Sequence, residues 1–250
     1  MKKLLLLCLV FVLIVSCDGE NAFDCFQTTG TIVTQEFEVS NFDRILVNRD
    51  VELIVSEGPN FEVIIETGDN LLNDVEVSVV DGLLELTDNN TCNFVRDFGV
   101  TRAFVTAPNI TEIRNSSQFQ VSSDGILNYQ DLRLISEDFN NSDFLTSGDF
   151  RLQINSNQVT VISNGTSFFF IEGTVDNIRI SFAAGVSRFE GENLIAQEVD
   201  VFNRSSNDMI VNPQQSLTGV ITSTGNVVSF NTPPNVDVEE RFSGRLIFED

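Results

Sequence analysis

From Phe42 onward, apolar and polar residues alternate in short bursts. The first are Ile45-Leu46-Val47, Val51-Glu52-Leu53-Ile54-Val55 and Phe61-Glu62-Val63-Ile64-Ile65, followed by Val75-Glu76-Val77-Ser78-Val79 and Leu83-Leu84-Glu85-Leu86. Successive side chains of a strand point to opposite faces, so a two-residue period marks half-buried strands. Glu57-Gly58-Pro59 and Asp81-Gly82 interrupt the bursts as turns. No stretch beyond residue 17 offers a 3.6-residue apolar period with helix caps. The pattern predicts an all-β protein.

The second half repeats. Segments starting at Ile110, Leu132, Val159, Ile178, Val199 and Val220 align with a period near 21 residues and one insertion. Each opens on a short apolar strand and passes through a polar turn, such as Asn115-Ser116-Ser117, Asn140-Asn141-Ser142, Ser163-Asn164-Gly165, Ala183-Ala184-Gly185 or residues 203–207. A large apolar residue follows: Phe119, Phe144, Phe168, Phe189, Met209 or Phe230. Four units then carry a second turn, at Asp124-Gly125, Ser147-Gly148, Glu172-Gly173 and Glu190-Gly191, and Leu127, Leu152, Val175, Leu194 and Leu217 supply a third apolar site. Three short strands per unit suit one coil of a parallel β-helix, or solenoid. The phenylalanines would then stack inside and the Asn/Ser turns would form a ladder along one edge. An antiparallel β-sandwich is the alternative, because its strands also recur regularly.

The N-terminus carries an address. Lys2 and Lys3 precede an unbroken apolar run, Leu4 to Val15, which is too short to span about 30 Å of hydrocarbon as a helix. It suits a signal-peptide core, and Ile14-Val15-Ser16-Cys17 resembles the lipobox of bacterial lipoproteins, in which the cysteine sulfur carries the lipid. The expected organisation is a signal peptide over 1–16, a lipid-anchored spacer over 17–30, an N-terminal β-strand part or cap over 31–109, and coils over 110–250 continuous with that cap. The membrane is thus an expected partner through Cys17. The expected location is the envelope of a Gram-negative cell, at the outer membrane. Of the other cysteines Cys8 leaves with the signal. Cys25 and Cys92 then form an even pair, which outside the cytoplasm points to a disulfide, with two free thiols as the alternative.

Charge and composition remove whole classes of chemistry. Lys+Arg is 14 against Asp+Glu 37, and histidine is absent. Both lysines lie in the signal, so the mature chain has 14 − 2 = 12 cations, all Arg, and a net charge of 12 − 37 = −25. Such a surface repels phosphate backbones, which excludes general nucleic-acid binding. Without Lys or His there is no ordinary catalytic triad, Schiff-base amine, P-loop lysine or imidazole metal site. Carboxylates, Tyr129, arginines and hydroxyls remain. Asp138, Asp143 and Asp149 fall in the longest unit and are candidates for a carboxylate pair of a carbohydrate-active enzyme, against the plainer reading of a solvated acidic loop. Glu172 and Glu190, in equivalent second turns, are candidates for sharing a Ca²⁺ between coils, although no calcium-loop motif surrounds them. No cofactor is implied.

Val39-Ser40-Asn41-Phe42-Asp43-Arg44-Ile45-Leu46-Val47, followed by Val51-Glu52-Leu53-Ile54-Val55-Ser56-Glu57-Gly58, joins the lipobox and the Ser/Asn-Gly turns in a resemblance to a known family. It is the one called putative auto-transporter adhesin, head GIN domain. The resemblance covers roughly residues 39–248, including Ser243-Gly244-Arg245-Leu246-Ile247-Phe248, although the family shows Ser-Gly-Ser turns more often than the Asn-rich turns here. It implies a right-handed parallel β-helix and carries over no catalytic residue. The expected function is a non-enzymatic envelope lipoprotein, an adhesion or scaffold module for glycans or envelope proteins. The alternative is a carboxylate enzyme on the same scaffold.

Overall fold

The computed structural model describes residues 24–90 and 92–249, so the expected signal peptide and Cys17 lie outside the described residues. The chain is all-β. Its strands are β1 (Ile32–Phe37), β2 (Arg44–Arg49), β3 (Val51–Glu57), β4 (Glu62–Gly68), β5 (Val75–Val80), β6 (Leu83–Asp88) and β7 (Thr101–Ala107). There follow β8 (Glu112–Ser117), β9 (Val121–Leu127), β10 (Asp131–Ser136), β11 (Phe150–Ser163), β12 (Phe168–Phe182) and β13 (Arg188–Glu190). The last are β14 (Leu194–Asn203), β15 (Met209–Val211), β16 (Pro213–Ile221), β17 (Val227–Ser229), β18 (Asn235–Glu240) and β19 (Leu246–Phe248). All belong to one continuous sheet, which curls into a nearly closed, barrel-like wall around a single core.

Most neighbours in this sheet are parallel strands lying one above the other as rungs. One inward column runs Leu84, Ile45, Ile113, Leu134, Val161, Ile180, Val201, Gly219 and Val238. A second runs Ala103, Leu53, Val121, Phe150, Phe169, Phe189, Met209, Val227 and Leu246. At about 4.8 Å per rung, eight steps make a stack about 40 Å long. The stacking already begins at Arg44, before the first sequence repeat. The β2–β3 rung lies between the β6–β7 rung on one side and the β8–β9 rung on the other. Antiparallel pairing is confined to β1–β4, β4–β7 and β5–β6 at this end, so the sandwich alternative is not supported.

Four of the predicted repeat starts fall in register: Leu132, Val159, Ile178 and Val199 occupy one column. Val220 does not, because Val199 pairs with Leu217. Between the Glu190–Ile210 and Ala196–Pro213 pairs, residues 191–195 face only 211–212, which shortens that unit, and a constant period cannot anticipate such a change.

The aromatic column needs a similar correction. Phe189 and Met209 are interior as expected, but their neighbour is Phe169, not Phe168. Phe168 is only half-buried, and so are Phe119 and Phe144, the latter under the Arg114 guanidinium at 5.2 Å. Phe230 is exposed. The interior stack is Phe150 on Phe169, with centroids 4.9 Å apart and planes 8° from parallel, and Phe182 tilted against Phe169 at 5.7 Å.

The Asn/Ser turns close each rung from within. Asn115 and Asn203 act alike: each Oδ1 accepts the backbone N–H two residues on, Ser117 and Ser205 respectively, at 3.0 Å. Each Nδ2 donates to a carbonyl four residues on and to the next rung, through Phe119 and Asp149 O or through Asn207 and Gly225 O. Buried hydroxyls continue the ladder, with Ser136 to Ser167 and Ser163 to Ser187 each at 2.7 Å. Such pairing removes the penalty of burying polar groups. Gly185 shows how tightly these turns stack. Its φ is +82°, and a Cβ there would lie 2.1 Å from the Gly165 carbonyl oxygen. Cys25 and Cys92 are joined as a disulfide, tying the N-terminal segment to the connection between β6 and β7.

Candidate functional site

Alternation places Leu152 and Ile171 inside, and so turns Arg151, Gln153, Phe170 and Glu172 outward on β11 and β12. In the parallel register Arg151 lies opposite Phe170 and Gln153 opposite Glu172. The Arg151 guanidinium sits over the Phe170 ring, 4.2 Å from its centroid, a cation–π contact on the open surface. Gln153 Nε2 donates to Glu172 at 2.6 Å. These four side chains make a flat two-rung floor.

Two irregularities raise walls beside it. On one side Arg151 pairs with Ser122 but Gln153 with Ile126, so β9 bulges through Ser123, Asp124 and Gly125. Gly125 takes φ +87° there, and Ser123 Oγ accepts the Gln153 backbone N–H at 2.9 Å. On the other side, Phe170 pairs with Glu190 but Gly173 with Leu194, leaving residues 191–193 as an outward step. Gly173 absorbs the bend of β12 at φ +113°, where a Cβ would meet the Ile154 carbonyl at 2.0 Å. Floor and walls enclose a cleft of about 480 Å³. An adjoining hollow of about 540 Å³ shares Gln153, Glu172 and Asn193 with it. Its wall carries an amide–hydroxyl ladder in which Thr174 Oγ1 donates to Asn155 at 2.8 Å and Asn155 Nδ2 to Asn128 at 3.0 Å. Together they form an open trough across the rungs, rich in hydroxyls, amides and carboxylates, with one guanidinium–aromatic plate.

The expected site residues distribute unevenly over this geometry. Glu172 and Glu190 both line the cleft but are not equivalent, since Phe170, not Glu172, lies opposite Glu190. Glu190 is instead ion-paired with Arg188, which also approaches Asp208 at 3.6 Å. The equivalence expected for a shared Ca²⁺ is thereby corrected: the strands pair there at a spacing of 190 − 170 = 20 residues, whereas 190 − 172 = 18 separate the two glutamates, which leaves them two positions out of register. Among the described residues no three acidic, Cys or His side chains gather as a metal site.

Asp138, Asp143 and Asp149 lie away from the cleft and are held locally. Asp138 accepts from Asn164 at 2.6 Å, Asp149 accepts the Phe168 N–H at 2.8 Å, and Asp143 is exposed on its loop. Tyr129 is buried with its hydroxyl donating to the Ala107 carbonyl at 3.1 Å; burial, then the Glu57 charge, pushes its pKa far up. It is part of the core. Sequence reasoning missed Arg151 and Phe170, although the alternation of Leu152 and Ile171 already aims both outward.

Similar solved structures agree with this architecture. A putative adhesin from Bacteroides fragilis is 18% identical, with TM-score 0.78 over 89% of this chain and 99% of the other. A putative adhesin from Parabacteroides merdae gives 11%, 0.61, 89% and 98%. A putative lipid binding protein from Parabacteroides distasonis gives 14%, 0.60, 88% and 98%. At these identities the likeness is one of fold. A search of curated proteins finds no match. Among the described residues no helix is long and apolar enough to cross a membrane. The profile of one family matches residues 41–233, most of the described chain, and the protein therefore belongs to the family described as putative auto-transporter adhesin, head GIN domain.

Proposed function

We propose that this chain is an exported lipoprotein of the Gram-negative cell envelope, anchored at the outer membrane through Cys17. Its body is a right-handed parallel β-helix acting as a non-enzymatic adhesion or scaffold module. The parallel rungs and their two inward columns support the β-helix reading, and the family description supports adhesion. The observation that carries the functional reading is the trough: an open, polar surface whose floor is the Arg151–Phe170 plate and the Gln153–Glu172 pair. An extended chain of hydroxyls, a glycan above all, meets hydrogen-bonding groups there at each rung and a ring face on which to stack. Of the trough's carboxylates Glu172 is taken up by Gln153 and Glu190 by Arg188, and Asp138, Asp143 and Asp149 do not line it. Binding without turnover is the chemistry this geometry supports.

A glycan array probed with the full chain, in parallel with an Arg151→Ala/Phe170→Ala variant, tests the reading. Retained ligands should be neutral or amino sugars, because three glutamates outnumber one arginine in the cleft. Binding should fall at least tenfold in the variant. Equal binding by both proteins would move the ligand site elsewhere.

A further inference from the structure

The connection between β6 and β7 carries a second exposed surface, at the N-terminal end of the stack. Phe94, Val95 and Phe98 are 73%, 51% and 74% exposed, and Phe26 beside them is 53% exposed. A cluster of large apolar side chains so open to water marks an interaction site. The backbone holds it outward with a set of bonds. The Cys25–Cys92 disulfide joins its two segments, and the Phe94 N–H donates to the Cys25 carbonyl at 2.9 Å. The rings of Phe26 and Phe94 touch at 5.7 Å. Asn93 Oδ1 accepts from the Val95 and Arg96 N–H groups at 3.2 and 2.9 Å. Arg96 donates to the Gln27 and Asn90 carbonyls, each at 3.2 Å. This is a braced knob of aromatic side chains.

Chain length says what it meets. Eight residue-to-residue steps lead from Cys17 to Cys25, and a fully extended chain spans at most about 3.5 Å per step, about 28 Å in all. The opposite end, β19, lies about 40 Å further along the stack. The knob is thus on the end of the molecule tethered closest to the acyl chains. We infer that Phe26, Phe94, Val95 and Phe98 seat in the interfacial zone of the bilayer holding the anchor and dock the end of the stack onto the lipid surface. This rests on the lipid-anchor reading proposed above. Aromatic rings favour the headgroup boundary, and stable attachment of an acylated protein gains from a second membrane contact. The acidic body, with Asp97 inside the knob, favours zwitterionic over anionic lipid.

The chain contains no tryptophan, so one substitution makes a clean reporter. Full-length Phe94→Trp protein, purified from membranes, is reconstituted into phosphatidylcholine vesicles with brominated acyl chains; Phe242→Trp at the far end is the control. Phe94 and Phe242 are both exposed, so neither change disturbs the core, and an indole at 94 keeps an aromatic face beside Phe26. Intact mass of each preparation reports the lipid on Cys17. The expected result is lipidated protein in which the Phe94→Trp emission shifts to the blue and loses more than half its intensity, while Phe242→Trp is unchanged. Lipidated protein with both reporters unquenched overturns the docking, leaves the anchor standing, and points to a protein partner for the knob. Protein without lipid overturns the anchor reading and the docking together.

Discussion

Replacing Phe169 with alanine removes the ring at the centre of the interior aromatic stack. Phe169 has no exposed surface and lies face to face with Phe150, with Phe182 against it. Lost burial accounts for about 1.5–3 kcal/mol, and the stacked contacts for about 1 kcal/mol more. The cavity left between rigid rungs brings the expected loss to about 3–5 kcal/mol. Phe168→Ala is the matched control. Its ring faces outward, half-buried, against Phe170 at 6.3 Å, and its loss should stay below about 1 kcal/mol. Urea unfolding of the two variants beside the parent reads the difference, with an unchanged m-value showing that the transition remains cooperative. Similar losses for the two, or a larger loss for Phe168→Ala, would mean that the inward parity of β12 is wrong. The trough floor would then be wrong with it, since Phe169 and Phe170 must face opposite ways.

Cys17→Ser should leave the chain uncleaved or soluble, because on the proposed lipoprotein reading the acyl group is its strong anchor; detergent phase partitioning reads this, and a processed variant still in the detergent phase would refute it. Exported protein alkylated without reductant should show neither Cys25 nor Cys92 modified, and Cys25→Ser/Cys92→Ser should cost about 4 kcal/mol, as closing a 67-residue separation predicts. Asp50 lies beside the same connection; burial, then the Asp88 charge, raises its pKa, against the opposing pull of Gln118, Arg96 and Arg49. A raised folded pKa makes Asp50 favour the fold when protonated, and that contribution is lost as pH rises through the folded value. Asp50→Asn should therefore raise Tm at pH 7, with the gain fading below the ordinary aspartate value of 3.8. A gain that persists undiminished at pH 3 would contradict this.

The strands and the middle of the stack were readable from residues alone. Leu132, Val159, Ile178 and Val199 announce one column because each opens a strand after a polar turn, and the Asn/Ser turns announce themselves by composition. The parity of β12 was harder, since Phe168, Phe169 and Phe170 are equally apolar. Glu172 and Ile171 settle it: the carboxylate must face water, which carries Phe170 out and Phe169 in. The trough was not legible. It is made by two bulges, at 123–125 and 191–193, whose positions depend on the partner strand across the rung. Equally hidden was the placement of β2–β3 between β6–β7 and β8–β9. Pairing between distant segments leaves no local mark in sequence.

Adherence tests the account most directly. Cells displaying the full chain, or the Arg151→Ala/Phe170→Ala variant at equal abundance, are washed over surfaces coated with the glycans or envelope proteins that bind the purified protein. The account predicts that the parent chain holds cells to the surface and that the variant releases them to the level of cells lacking the chain. Equal retention with and without the chain would contradict an adhesive role.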